Sequence, residues 1–232
     1  MIEAATRTGG ERGAFGKRIM ELADRLAQWS ESPEGLTCTY LSPAHRSVAA
    51  EIGELMRRAG LLTEIDAVAN VTGRYPACGQ TARAMILASH YDTVRNAGKY
   101  DGRLGVLTAL VVAEHLNRLA RKLPFHLDVI AFSEEEGVRF SSSFLGSRAV
   151  AGRFDSKLLD CRDAGGVTLA AAMREAGLDP GKIPTLKRRS EELVGYLEAG
   201  GWRIEEATER DPYPDVEVAT RRVYILAEAP AG

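Results

Sequence analysis

The chain has 232 residues, 45% of them apolar, enough to bury a sizeable core in one large domain or two small ones. Thirty Lys and Arg stand against 32 Asp and Glu, for a net charge of −2 and a pI near 6.1, which gives no general attraction to nucleic acid or to an anionic membrane. A small molecule or a protein is the expected partner, with no nucleic acid and no membrane. Cys38, Cys78 and Cys161 are scattered and form no C-x-x-C pair, so neither a disulfide framework nor a thiolate zinc site is predicted, and the compartment is expected to be reducing. Met1 to Arg12 lacks the apolar stretch of a signal peptide, and no apolar run approaches the roughly 20 residues of a membrane span. The expected location is therefore cytoplasmic.

In chain order, Phe15, Ile19, Leu22, Leu26 and Trp29 fall at helical steps and predict a helix over Ala14 to Ser30. Val48, Ile52, Leu55 and Met56 predict a second over Arg46 to Ala59, stopped at Gly60. Leu61 to Thr72 reads as one strand, with a turn-rich loop over Gly73 to Gln80. Ala84 to Ala88 is a continuous apolar run, typical of a strand covered on both faces, and it ends on Ser89-His90. Gly105 to Leu119 has helical spacing. Leu127 to Phe132 reads as a strand that ends on Ser133-Glu134-Glu135-Glu136-Gly137. Ser147 to Gly152 and Leu169 to Ala176 read as further helices, and Asp179-Pro180 opens a loop. This alternation predicts an α/β fold, a layered mixed sheet with helices on both faces.

Both polar clusters therefore sit at the carboxyl ends of strands, where open α/β sheets gather ligands. One imidazole and several carboxylates suit Zn²⁺ or Mn²⁺. Asp101 can bridge two cations that share a hydroxide, with His90 on one ion and Glu136 on the other. Asp92, two residues beyond His90, is placed to hold the far ring nitrogen. Glu135, crowded by negative charge, is the candidate general base. Taken alone, His90 reads as a structural histidine, Asp101 as a turn former and the Glu triplet as a solvated helix start; the shared position at strand ends argues against all three. His45 is expected to be a capping or loop residue, with His115 and His126 structural. Arg139, Ser147 and Arg148 are candidates for a substrate anion, with salt bridging or capping as the alternative.

The segments Ser89-His-Tyr-Asp-Thr-Val94, Gly98-Lys-Tyr-Asp-Gly-Arg-Leu-Gly-Val106, Ser133-Glu-Glu-Glu-Gly-Val-Arg-Phe140 and Phe144-Leu-Gly-Ser-Arg148 resemble the zinc-dependent amidohydrolases of the M20 peptidase superfamily. The nearest members are the allantoate amidohydrolases and N-carbamoyl-L-amino acid hydrolases. The resemblance implies His90 as a ligand of the first metal, Asp101 as the bridge, Glu136 as a ligand of the second and Glu135 as the catalytic base. It also implies hydrolysis of a linear C–N bond in a ureido or carbamoyl acid.

The resemblance runs from about the first helix to Ala199, then stops. The family continues to a His-Ile-Glu-Gln-Gly motif, an inserted dimerisation domain and a returning segment with a last metal-binding His, whereas here Gly200-Gly-Trp-Arg follows and no His lies beyond His126. The expected organisation is a partial metallohydrolase catalytic domain at 13–199, an incomplete M20-type domain without the dimerisation domain. An atypical tail with little helical or strand period follows at 200–232, from a truncated or frame-shifted gene. Two divalent ions, Zn²⁺ or Mn²⁺, are implied but held weakly, and the family homodimer does not carry over. The alternative is a catalytically inactive remnant or partner-binding module.

Overall fold

The computed structural model describes residues 9–79, 83–194, 203–210 and 222–228. The expectations on Met1 to Thr8, on residues 195–199 and on the Gly200–Trp202 junction lie outside them. Thr8–Leu193 forms one compact unit, and the last two strands lie in another.

Helix α1 (Gly9–Ala27) starts earlier and stops sooner than periodicity predicts; Leu22, Ala23 and Leu26 are buried along it, while Trp29, past its end, is exposed. It stops because the Ser30 hydroxyl takes the amides of Ser32 and Thr37, offering the backbone an alternative to the helix. Helix α2 (Pro43–Arg58) is capped by Ser42, whose hydroxyl accepts the His45 amide, with Pro43 in the first turn where no donor is missed. It ends at Gly60, whose φ of 85° suits glycine.

The single strand expected over Leu61 to Thr72 is two, β1 (Leu62–Ile65) and β2 (Val71–Tyr75). Between them Asp66 Oδ1 accepts the amides of Val68 and Asn70, and Ala69 turns at φ 66°. Side-chain capping of this kind is what Asp and Asn do in turns, so the signal was present and β-branched alternation obscured it. Then follow β3 (Ala84–His90), α3 (Arg103–Arg118), β4 (His126–Phe132), α4 (Leu145–Val150) and α5 (Leu169–Glu175), each within a few residues of its predicted place. The loop expected at Asp179-Pro180 is a 3-10 turn, Pro180–Leu186, capped by Asp179.

The sheet order is β1-β2-β4-β3, antiparallel except for β3 and β4, which run parallel with α3 as the crossover between them. Helices α1, α2 and α3 bury Leu26, Ile52, Met56, Leu107 and Leu110 against Val71, Tyr75, Val129 and Ala131. Side chains on the opposite face, Thr72, Arg74 and Ile130, border an open cleft with Val150 of α4, Leu186 and Arg188. A second core gathers Tyr40, Phe140, Leu145, Leu169 and Met173. The fold is the expected layered mixed sheet. Strand β3 is nonetheless half-buried along most of its length, against the expectation of two covered faces; among the described residues it ends the sheet order, with only Ala84 bridged further, to Leu193.

The tail carries more order than its composition predicts: β5 (Arg203–Arg210) and β6 (Arg222–Glu228) pair antiparallel, with an irregularity between Ile204 and Glu206. Among the described residues, no helix is long and apolar enough to cross a membrane.

Candidate metal centre

Parallel pairing sets the site. In the β3–β4 register His90 faces Phe132, and the Tyr91 amide extends the ladder to the Phe132 carbonyl at 3.0 Å, so both strands deliver their next residues to one crevice. Asp92, 1% exposed, joins the two loops: Oδ1 accepts the Glu135 amide and Oδ2 the Glu136 amide, each at 3.1 Å. The His90 Nδ1 lies 3.1 Å from the Asp92 carbonyl and 3.3 Å from Asp92 Oδ1. A carbonyl can only accept, so Nδ1 carries the proton and Nε2 is directed to the acids, 3.6 Å from Glu136 Oε1 and 4.0 Å from Asp101 Oδ1.

Asp101 reaches the crevice from the turn that starts α3. Gly102 is required there: its φ is 62°, and a Cβ would stand 2.4 Å from the His90 ring. His90, Asp101 and Glu136 each offer one ligand atom, all within 4.8 Å of one another. Asp92, Asp101 and Glu136 thus lie about one imidazole, with Glu134 and Glu135 adjoining in sequence, and among the described residues no Lys or Arg forms a salt bridge with any of these acids. Burial, then the Asp92 charge, pushes Glu134 up to about 9, against the weak pull of the Gly137 amide, which stands near but forms no well-aligned hydrogen bond with either oxygen. Burial pushes Glu135 up to about 7, opposed by a hydrogen bond from Ser147 and reinforced by Asp92. Glu136 is raised, first by burial. Burial opposes protonation of His90, yet the hydrogen bonds and charge of Asp92, with Glu136, carry it up to about 9. Excess carboxylate charge, orphaned acid oxygens and one nitrogen donor fit a divalent cation.

The five residues named from the sequence therefore meet at one place, Asp92 in contact with His90 as expected. Ser147, for which a substrate anion and helix capping were both open, donates its hydroxyl to the Phe144 carbonyl at the start of α4 and stands close enough to Glu135 to lower it. Arg139 is engaged elsewhere, by Asp163 at 3.0 Å and by the Tyr40 carbonyl. His45 corrects its reading as a capping or loop residue. It lies inside α2, fully buried, with Nε2 donating to the Ser133 carbonyl at 2.7 Å, and burial lowers it to about 4. Its only sequence signal was its place on the apolar face of α2, one turn before Val48 and Ala49. His115 and His126 are structural, one packed on Phe15 and the other accepting the Ala77 amide. The three cysteines are free.

A parallel strand pair delivering His, Asp and Glu to one crevice defines the class: an α/β protein with a candidate centre for divalent metal. Residues 70–174 match Peptidase family M28. The chain is 35% identical over 184 residues to an N-carbamoyl-L-amino acid amidohydrolase of Geobacillus stearothermophilus, covering 79% of this chain and 45% of that protein. It is 38% identical over 177 residues to allantoate deiminase 1 of Glycine max, covering 75% of this chain and 37% of that protein. The solved structure of AtUAH in complex with (S)-hydroxyglycine superposes with a TM-score of 0.70 at 29% identity, covering 76% of this chain and 43% of that one. Over part of their length the chain is thus similar to N-carbamoyl-L-amino acid amidohydrolases and allantoate deiminases, and its middle matches the M28 peptidase family. It spans less than half the length of the two curated relatives named here.

Proposed function

We propose that this chain carries the metal and proton-transfer groups of an amidohydrolase that cleaves a linear C–N bond in a ureido or carbamoyl acid, such as allantoate or an N-carbamoyl-L-amino acid. The observation that carries the reading is Glu135, raised to about 7 beside the His90, Asp101 and Glu136 cluster. His90 Nε2, Asp101 and Glu136 would hold divalent ions, Zn²⁺ or Mn²⁺, with Asp101 as the bridge. Such ions polarise a scissile carbonyl and acidify an attacking water. Asp92 fixes the His90 tautomer and, through two amides, the course of the Glu135–Glu136 backbone. Glu135, next to the ligand Glu136, is placed to accept the proton of the attacking water and return it to the departing nitrogen. A small substrate agrees with the hydroxyglycine bound by AtUAH. Three free cysteines agree with a reducing, cytoplasmic location.

A second reading rests on the short ligand set: with one imidazole among the grouped ligands, the chain binds metal weakly and does not turn over alone. Hydrolysis of allantoate and N-carbamoyl-L-amino acids is to be followed with Zn²⁺ or Mn²⁺, wild type against Glu135→Gln. Turnover that falls by roughly 10³-fold in the variant supports the first reading. Folded, metal-loaded wild type without turnover supports the second.

A further inference from the structure

Beneath the crevice lies a buried cation that the proposed chemistry does not use. Arg103, 0% exposed, opens α3. A cation in the first turn of a helix opposes the helix dipole, and a buried guanidinium burdens folding unless it is well paired. Here one donor, Nη2, has no hydrogen-bond partner. The other two reach across the chain: Nε donates to the Tyr91 carbonyl and Nη1 to the Leu26 carbonyl, each at 3.0 Å. Tyr91 is the residue between His90 and Asp92. The Arg103 amide itself bonds the Asp101 carbonyl at 2.6 Å. Cys38 first, and then Asp92, which holds the amides of Glu135 and Glu136, act electrostatically on the guanidinium.

The side chain therefore ties the carbonyl next to His90 to α1, while the backbone amide of the same residue holds the Asp101 carbonyl. We propose that Arg103 is a positioning residue for the metal centre, clamping the His90–Asp92 turn and the Asp101 turn to the last turn of α1. The proposal rests on the reading of His90, Asp101 and Glu136 as ligands. Arg103 touches no ligand atom and acts through Tyr91, Asp92 and the start of α3.

The test titrates Zn²⁺ calorimetrically into the full chain as wild type, Arg103→Met, Arg103→Lys and Ile52→Ala, a core change away from the crevice that serves as the stability control. Loss of groups that orient metal ligands typically weakens affinity ten- to a hundred-fold, so Arg103→Met is expected to bind Zn²⁺ about ten-fold more weakly or worse. Arg103→Lys, able to satisfy one of the two carbonyls, should recover part of this, and Ile52→Ala should bind as wild type does. Folded Arg103→Met with wild-type affinity overturns the proposal and leaves the metal reading standing. Affinity that falls in Ile52→Ala as much as in the Arg103 variants also overturns it, since the role would then be general stability. Should Arg103→Met fail to fold, Arg103→Lys decides: wild-type affinity overturns the proposal and weakened affinity supports it. Wild type that binds no Zn²⁺ removes the metal reading and this proposal together.

Discussion

Strand β4 carries buried carboxylate charge in two places, and the two are treated differently. In its middle Asp128, 0% exposed, is gripped by Arg74 through two hydrogen bonds of 2.7 Å and by Arg188 at 2.9 Å. Just past its end Glu134, Glu135 and Glu136 follow one another near Asp92, Asp101 and His90, and among the described residues no arginine forms a salt bridge with any of these acids. The first cluster is complete and can only hold the fold together. The second is short of positive charge by construction, with acids raised and a histidine that holds its proton, and that deficit marks a place for a cation.

Breaking the complete cluster should have the largest effect on stability. Asp128→Ala leaves two arginines facing each other, and loss of one partner of a buried pair costs about 3–5 kcal/mol. The lower end is expected because both arginines keep some solvent contact. Urea denaturation measures it, and Zn²⁺ affinity per folded molecule should be unchanged; a loss of affinity would show that the two clusters are coupled.

The second cluster should reveal itself through pH. Without metal, the folded protein holds protons on His90 to about 9, Glu135 to about 7 and Glu134 to about 9, while the unfolded chain releases them near the ordinary values of 6.5 and 4.5. A state that binds more protons gains stability as pH falls, so metal-free stability should decline between pH 6.5 and 9. His45, lowered to about 4, acts in the opposite sense just above pH 6.5, where the unfolded chain still binds part of a proton there, and drops out by about pH 8. Zn²⁺ competes with these protons, so its binding at pH 7.5 should release protons, seen as a binding enthalpy that depends on the buffer. A stability profile flat from pH 6.5 to 9, or binding without proton release, would break the contrast between the clusters.

The smallest effect sharpens the same contrast. Gly102→Ala places a methyl on the His90 ring at a φ of 62°, which costs about 1 kcal/mol in backbone strain. Because the imidazole must move, Zn²⁺ affinity should fall further than that stability loss alone explains, whereas Asp128→Ala shows the reverse pattern. Thermal unfolding with and without Zn²⁺ separates the two.

Much of the site was legible because it is local. His90, Asp92 and Asp101 lie within twelve residues of one another, and the Glu triplet follows an apolar run, so strand ends and residue types suffice to place them. The helices α2 and α3 were legible for the same reason: a stripe every three or four residues, with a cap at one end or a stop at the other. The turn between β1 and β2 was missed because Ile65, Val68 and Val71 keep a strand-like rhythm across a bend made by Asp66. Strands β5 and β6 were missed because their pairing, Arg203 with Glu228, joins segments of little apolar period.

What the sequence determined by itself is the set of chemical groups and their order along the chain, since short-range periodicity and strand-end placement are written in neighbouring residues. The tertiary structure alone decided how charge is matched: Asp128 finds Arg74 54 residues away and Arg188 60 residues away, and Arg103 reaches Leu26 across 77. It likewise decided that His45 supports the Ser133 carbonyl 88 residues on. Such pairings follow from which surfaces pack together, and burial then raises the strength of each contact and the cost of each omission.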